Sequence, residues 1–348
     1  IAFCIGAVAA GFMFKKLSPR VIVIISAVLL FAGFMLASVG SSKLNLYLGL
    51  GGICGFGSGL TYNASMSTMS KWFPDKQGLI SGIMLMGFGL SSFIIGKVFV
   101  AMSPADGSLK WQSTFKIFAV VILIVLIICS LFYVLPEKGY NPGAGSSKKA
   151  SRQPAMEATT GQMMKMPSFW CFYIWAIVIS GVGLVLVAQA RGIATQVGTG
   201  VPAEDIATIV GLISIFNGIG RIFFGALYDK KGHRLPLIMC MVLFVIATVI
   251  LMTSMNTGAF ALVVVGFVIG GFAYGCVTPM NSAIISDFFG RENYPMNYSV
   301  INSNLIIASF ASTIAGILYD KSGSYMTTCF MMIILTVVGA VVFFGIRR

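Results

Sequence analysis

Residues 217–234 read NGIGRIFFGALYDKKGHR, an apolar run that carries one arginine and ends in a charged loop. A related loop, GFMFKKLSPR, occupies residues 11–20, so its counterpart at 225–234 lies 214 residues further along the chain. A second pair of loops, WFPDKQG at 72–78 and FFGRENY at 288–294, repeats after 216 residues. Two separate pairs of loops therefore repeat at nearly the same distance along the chain. This regularity indicates two homologous halves that arose by duplication.

The composition places both halves in a membrane. Of the 348 residues, 57% are hydrophobic and 9% are charged, and the mean hydropathy is +0.95. Soluble domains carry about 25% charged residues, so a water-soluble enzyme, a disordered chain and a collagen-like chain are all excluded. The apolar stretches are also much longer than β-barrel strands. The prediction is an all-α polytopic membrane protein.

Charged residues and Pro/Gly positions divide the chain into eleven apolar segments. They run over 1–14, 21–40, 44–70, 78–102, 111–135, 167–190, 203–228, 235–254, 258–286, 296–318 and 324–346. The first is too short to span a bilayer, and the repeat aligns residue 1 with about residue 215. We therefore expect that one helix and part of the next are missing at the N-terminus, and that the intact protein has twelve spans in two six-helix halves. The predicted division is an N-terminal half at 1–135, a linker at 136–165 and a C-terminal half at 166–348.

The linker predicts the orientation of the chain. Residues 136–165 are polar and rich in Gly, Pro and Ser, which is typical of a flexible segment. If the linker lies inside, the inner loops and tail collect sixteen Lys and Arg residues and the outer loops six. Cytoplasmic loops carry such an excess, so we expect a multi-pass protein of the cell membrane with the linker and the C-terminus in the cytoplasm.

The cysteines and the single histidine predict no metal or redox chemistry. The seven cysteines all lie in apolar segments without a C-x-x-C pair, so they are expected to be small buried apolar residues. His233 lies in a basic loop. No metal and no cofactor is expected.

The repeated loops resemble those of a known superfamily. GALYDKKGHR resembles the signature loop of the major facilitator superfamily, whereas the first copy departs from it with Lys15 at the acidic position and Ser18-Pro19 in the glycine region. SKWFPDKQGLISGIMLMGFGLSS, FNGIGRIFFGALYDKKG, MKMPSFW and SDFFGRENYPMNYS together resemble the oxalate:formate antiporter family, to which bacterial monocarboxylate carriers also belong. The resemblance covers essentially the whole chain and implies the major facilitator fold.

The loops also contain the residues expected to work as a gate. Asp229 and Asp75 lie at predicted helix ends, where they can pair with basic neighbours in one state and separate in another. The resemblance adds Gly225, Lys230 and Arg234 from the signature loop. The alternative is that these charges are ordinary solvated loop residues.

Arg221 is the candidate for binding a substrate. It lies eight residues before Asp229, which is about 12 Å along a helix and therefore near the bilayer midplane. A cation at that depth costs at least about 2.5–3.5 kcal/mol, so it is expected to face a polar cavity or a partner. All ten acidic residues lie in loops, in the linker or at helix ends. A guanidinium there suits an anion, because its planar fork can hold a carboxylate through two hydrogen bonds.

Two readings of Arg221 remain open. The resemblance puts the family's substrate arginine at this position, and Asn217, one turn earlier, shares its helix face and can orient it. Alternatively, Arg221 is structural, bonded to backbone carbonyls and Asn217.

The resemblance also implies further binding residues. The oxalate carriers have a second cation that falls on Leu305 here, so one charge is missing, and Asn302 and Asn304 are the nearby polar substitutes. One buried cation favours a monocarboxylate such as formate or lactate over oxalate. Tyr62 and Tyr274 coincide with aromatic positions of the family's site, and Phe88 stands where a tyrosine can occur. Each of the three has ordinary packing as its alternative.

The predicted function is secondary transport of a small carboxylate by alternating access. No ATP-binding motif is present, and no acidic residue or histidine lies mid-span, which favours exchange or a proton carried on the substrate. The expected partners are the carboxylate and the lipid bilayer, with no nucleic acid, and the protein is expected to be monomeric and not an enzyme. The alternatives are an exporter of larger amphipathic compounds and a transporter-like sensor without flux.

Overall fold

The computed structural model describes residues 1–39, 42–103, 111–137, 140 and 154–348, with the backbone alone at 88–90, 92–93, 100 and 203. Over these residues the chain is all-helical. In chain order the helices are α1 (Ala2–Met13), α2 (Pro19–Ser38), α3 (Lys43–Leu46), a π-helical stretch (Tyr47–Cys54), α4 (Gly55–Trp72), α5 (Gln77–Met102), α6 (Trp111–Ser130), α7 (Thr160–Met163), α8 (Pro167–Val197), α9 (Ala203–Lys231), α10 (Arg234–Thr257), α11 (Phe260–Tyr274), α12 (Val277–Phe289), α13 (Tyr294–Asn302), α14 (Asn304–Ser322) and α15 (Met326–Phe343). Residues 141–153 of the predicted linker lie outside the described residues.

These helices confirm the predicted fold class. Every predicted apolar segment corresponds to one or more of them. Within the described ranges, eight helical spans are long and apolar enough to cross a membrane, and two of these spans join α11 with α12 and α13 with α14. Three predicted segments are interrupted. The π-helical stretch divides 44–70, Gly275 and Cys276 separate α11 from α12, and Ser303 separates α13 from α14.

The outer face of α6 shows why these helices need a bilayer. Large apolar side chains lie exposed along it, and they include Val120, Val121, Ile124, Val125 and Ile128. A continuous apolar face of this length suits a helix that faces hydrocarbon, where every helix satisfies its own backbone hydrogen bonds. The chain is a multi-pass membrane protein.

All seven cysteines are free. Five of them are buried and Cys171 is half-buried, in keeping with small apolar packing residues. Cys129 is exposed on α6, so the prediction of burial is wrong for this residue. The reason is that apolar character alone does not distinguish a side chain facing protein from one facing lipid.

The described helices form two compact units. Unit 1 contains Ile1–Asp75, Phe93–Thr160 and Phe289–Asn302, and unit 2 contains Lys76–Ser92, Gly161–Phe288 and Ser303–Arg348. The start of α5 thus packs with the helices of the C-terminal half, and α13 packs with those of the N-terminal half. Contacts define the units and the repeat defines the halves, so the division at 136–165 stays a prediction.

In unit 2, α5 and α9 cross with their backbones in contact. A Cβ on Gly78 would lie 2.4 Å from the carbonyl oxygen of Gly225, and a Cβ on Gly225 would lie 2.1 Å from that of Gly78. One turn further along α5, a Cβ on Gly82 would lie 2.3 Å from the carbonyl oxygen of Arg221. Glycine is required at these positions because no side chain fits, and the absence of side chains lets the two helices approach closely.

The end of the predicted linker differs from a flexible segment. Ala158 and Met163 are buried, and residues 160–163 form the short helix α7. Their apolar side chains pack although the surrounding sequence is polar. The prediction of flexibility is wrong for this part of the linker.

The glycine crossing can be tested with one methyl group. Gly225→Ala should destabilise the protein by about 1–3 kcal/mol, because the added Cβ meets backbone that has no side chain to move aside. Gly211→Ala is the matched control, since it lies on the same helix with nothing within 4 Å of the added atom. Thermal unfolding in detergent should show a lower Tm for Gly225→Ala alone. Equal Tm values for the two variants would contradict a close crossing.

Candidate functional site

Arg221 lies within α9, ten residues before the last residue of the helix, Lys231, and therefore about 15 Å from that end. A guanidinium N–H donates to the carbonyl oxygen of Leu85 in α5. The α9 backbone at Arg221 is enclosed by Gly82 on one side and by Gly275 on the other, where a Cβ would lie 2.7 Å from the Arg221 nitrogen. The side chain is half-buried. The contact to Leu85 is of the kind that the structural reading expects, and both readings of Arg221 remain open on this geometry.

Two of the other predicted residues lie beside Arg221 in unit 2. Tyr274, the last residue of α11, is half-buried and directly precedes Gly275, which packs on the backbone of Asn217 and Arg221. Asn217 is buried, and its amide nitrogen has no hydrogen-bond partner in the part of the chain that the structure describes. A buried donor without a partner usually marks a place for water or a ligand. The structure thus places the Arg221 cation and the available Asn217 amide one turn apart on α9, with Tyr274 at the neighbouring end of α11.

Another predicted polar residue of unit 2 lies directly after the break between α13 and α14. Asn304 begins α14 and is fully buried, and neither polar atom of its side chain has a hydrogen-bond partner among the described residues. Thr278, on α12, has a buried hydroxyl in the same situation. Leu305, where the second cation of the oxalate carriers would fall, is half-buried in α14. Phe88 lies in α5, but its side chain is outside the described residues.

Tyr62 and Asn302 belong to unit 1, where an aromatic stack surrounds Tyr62. The hydroxyls of Tyr62 and Tyr298 are 2.6 Å apart, and the two rings stack at a centroid distance of 5.8 Å. The ring of Tyr294 also stacks with that of Tyr298, at a centroid distance of 5.1 Å. Asn302, the last residue of α13, is buried one turn beyond Tyr298. Tyr298 was not predicted, although its spacing of four residues from Tyr294 was a usable signal.

Asp229 is the best defined of the predicted gate residues. Its carboxylate accepts the backbone N–H groups of Gly78 at 2.9 Å and Leu79 at 2.8 Å. Both donors belong to the first turn of α5, where N–H groups have no partner within their own helix and the helix dipole favours negative charge. Asp229, near the end of α9, therefore caps α5. An ordinary N-cap side chain does the same from the residue just before its own helix.

The remaining gate residues are more exposed. Lys230 and Arg234 are exposed at the junction of α9 and α10, and Asp75 is exposed in the loop before α5. Gly225 is buried at the crossing described above. Their roles in gating stay predictions.

The fold and these residues define a multi-pass helical membrane protein of the transporter class. A crystal structure of the transporter FucP in the outward conformation matches with a TM-score of 0.67 at 16% identity, over 99% of this chain and 87% of that one, which shows the fold. The family model of the Major Facilitator Superfamily matches residues 1–303 and 192–348. The chain belongs to the Major Facilitator Superfamily.

Several transporters are similar in sequence. The oxalate:formate antiporter of Oxalobacter formigenes is 26% identical over 292 residues, which cover 82% of this chain and 66% of the antiporter. Monocarboxylate transporter 13 of Bos taurus is 24% identical over 319 residues, covering 89% of this chain and 69% of that protein. The transporter YhjX of Escherichia coli is 26% identical over 305 residues, covering 86% and 72%. The chain thus spans about two thirds to three quarters of the length of these relatives.

The cap on α5 leads to a test of stability. Asp229→Ala removes a carboxylate that accepts two backbone N–H groups, and we expect it to cost about 1–3 kcal/mol. Asp229→Asn, which keeps the shape and one acceptor, should lose less. Asp320→Ala, at an exposed carboxylate near the end of α14, is the control. Thermal unfolding should rank wild type and Asp320→Ala above Asp229→Asn and Asp229→Ala last; an Asp229→Ala protein as stable as the control would argue against the cap.

Proposed function

We propose that this protein is a secondary transporter of a small carboxylate anion, and that a monocarboxylate such as formate or lactate is its substrate. Transport proceeds by alternating access in the cell membrane, with the linker and the C-terminus in the cytoplasm. The observation that carries the proposal is Arg221, a half-buried cation in the middle of the membrane-crossing helix α9. An enzymatic role has no support in the sequence or the fold.

The environment of Arg221 supports an anionic substrate. A guanidinium within a membrane span is costly to insert, so such residues usually serve binding or transport. A guanidinium has five N–H donors in a rigid fork, and a carboxylate accepts two of them in parallel. Asn217 lies one turn before Arg221 on α9, and Tyr274 precedes Gly275, which packs on the same stretch. The Asn217 amide and the Tyr274 hydroxyl can each donate to a bound oxygen. These groups are suited to hold one carboxylate.

The similar proteins support the same chemical class. Their names give oxalate and formate for the bacterial antiporter and monocarboxylates for the mammalian transporter. Leu305 stands where the resemblance to the oxalate carriers puts a second cation, and the buried amide of Asn304 precedes it. A single positive charge matches a monoanion better than a dianion.

Energy coupling follows from what the spans contain. All ten acidic residues lie outside the middle of the predicted spans, and His233 packs edge-on against Phe288 next to the start of α10. Exchange of one carboxylate for another, or entry of the substrate together with its own proton, requires no titrating group at the midplane. We propose one of these two modes, for a monomer embedded in the bilayer.

The role of Arg221 is tested by counterflow in proteoliposomes loaded with formate, lactate or oxalate. Arg221→Ala should lower the rate about a hundredfold, because it removes one partner of a desolvated ion pair. Arg221→Lys should keep part of the rate, since a point charge replaces the fork. Arg191→Gln is the control, because Arg191 is exposed near the end of α8.

The outcomes separate the proposal from its alternatives. Carboxylate flux that survives in Arg221→Ala would refute an anion site at this residue and favour a structural arginine. Export of amphipathic compounds without carboxylate counterflow would indicate a different transporter, and ligand binding without flux would indicate a sensor.

The preference for a monoanion is tested at Leu305. Leu305→Lys adds the second cation, and we expect it to shift the competition between oxalate and formate about tenfold towards oxalate. Leu305→Met is the matched control, because it keeps the size and lacks the charge. The measurement is inhibition of formate counterflow by oxalate, on variants that elute as single peaks in detergent. A folded lysine variant with the original preference would contradict the assignment of this position.

A further inference from the structure

The end of the linker is bonded to the loop before α13 through one carboxylate. In unit 1, Glu157 accepts the backbone N–H of Arg291 at 2.9 Å and that of Glu292 at 3.0 Å. The preceding Gly290 has a φ of +89°, and a Cβ there would lie 2.2 Å from the Glu157 carboxylate. Successive N–H groups after a left-handed residue form a concave anion-binding turn, and Glu157 fills it.

Three further hydrogen bonds extend this contact to the end of α12 and onto α13. The Ala158 N–H donates to the carbonyl oxygen of Phe289 at 2.9 Å, and the Asn297 amide donates to the carbonyl oxygen of Ala158 at 3.1 Å. The Thr160 hydroxyl donates to the side-chain oxygen of Asn297, Oδ1, at 2.7 Å. We call residues 157–160 the linker strap. Its bonds hold both the loop and the first turn of α13.

The same loop is tied to a second segment of unit 1. The Arg291 guanidinium donates to the carbonyl oxygen of Pro74 at 2.7 Å, in the loop that follows α4. α13 itself packs against α1 and α4. The linker strap therefore holds the start of α13 where the linker, the loop before α13 and the loop after α4 meet.

The internal repeat shows what the linker strap replaces. In unit 2, Gly225 of α9 packs on the start of α5 and Asp229 caps that helix. In unit 1, Gly11 of α1 packs on the start of α13 in the corresponding way, with a Cβ 3.1 Å from the Met296 Cα. The equivalent of Asp229 is Lys15, which cannot accept a hydrogen bond.

The donor side of this contact has changed as well. The repeat offset of 216 residues makes Pro295 the equivalent of Leu79, one of the two α5 residues that donate to Asp229. Proline has no N–H to donate. The direct carboxylate cap is thus absent from the first copy on both sides. A carboxylate from the linker binds the preceding turn instead.

We propose that the linker strap acts as a latch in the first copy of the repeat. It holds α13 against α1 and α4, as Asp229 holds α5 against α9 in the second copy. The latch must release whenever α13 leaves α1 and α4 during transport, a step that rests on the proposed function. The linker thus takes part in gating and does more than connect the halves.

The latch is tested by amide hydrogen exchange of the whole chain in detergent, read by mass spectrometry. Glu157→Ala should raise exchange of peptides over 289–293 about tenfold or more, because the N–H groups of Arg291 and Glu292 lose their acceptor. Glu157→Gln should give a smaller rise. Glu137→Ala is the matched control, at an exposed acid near the other end of the linker.

A second variant protects the test against misfolding. Thr160→Val removes only the bond to Asn297 and should raise exchange over 294–297, with the control helix α10 unchanged. If the Glu157→Ala protein unfolds as a whole, the exchange of Glu157→Gln and Thr160→Val decides whether the linker strap holds residues 289–297. Unchanged exchange over 289–297 in variants with an intact α10 would overturn the latch.

The release step has its own measurement. In proteoliposomes, a transported carboxylate present on both sides should raise exchange over 289–293 in wild type but not in Arg221→Ala. A transporting wild type without this rise would overturn the release step. If no carboxylate is transported, the proposed function fails, and the exchange experiment without substrate still decides whether the linker strap holds the loop.

Discussion

The backbone contact between Gly78 and Gly225 is the constraint on which much of unit 2 depends. It sets the distance between α5 and α9, and that distance lets the Asp229 carboxylate reach two N–H groups of the first turn of α5. One turn further, the same approach puts Gly82 on the backbone of Arg221, and Leu85 then offers its carbonyl to the guanidinium. A helix cap and the surroundings of the half-buried arginine therefore follow from three glycines, Gly78, Gly82 and Gly225.

The sequence predicted the helices well because long apolar runs have few alternatives in a membrane. It did not predict the breaks at Gly275 and Ser303, because glycine and serine are also common inside continuous membrane helices, where they pack against neighbouring helices. Arg221 and Asp229 stood out as charges at unusual or repeated positions. Their partners did not, since Leu85, Gly78 and Leu79 contribute only backbone atoms, which any residue carries. Tyr298 was missed because its pairing with Tyr62 joins positions 236 residues apart.

The two copies of the repeat have reached similar contacts by different chemistry. In one, an aspartate at the end of a helix caps its neighbour directly. In the other, a lysine and a proline stand at the equivalent places, and Glu157 supplies the carboxylate from a segment that duplication did not produce. Composition predicted flexibility for that segment because Gly, Pro, Ser and charged residues are common in it. Composition could not show that a few residues at its end bury Ala158 and Met163.

The distribution of thiols makes the chain a convenient background for chemical mapping. The seven cysteines are free, five of them are buried, and Cys129 is exposed on the apolar face of the membrane-spanning helix α6. A polar maleimide added from water would meet little native reactivity, apart from the half-buried Cys171. New cysteines introduced one at a time into the loops would then report from which side of the membrane each is reached, and so give the topology of the protein without first removing its own sulfur atoms.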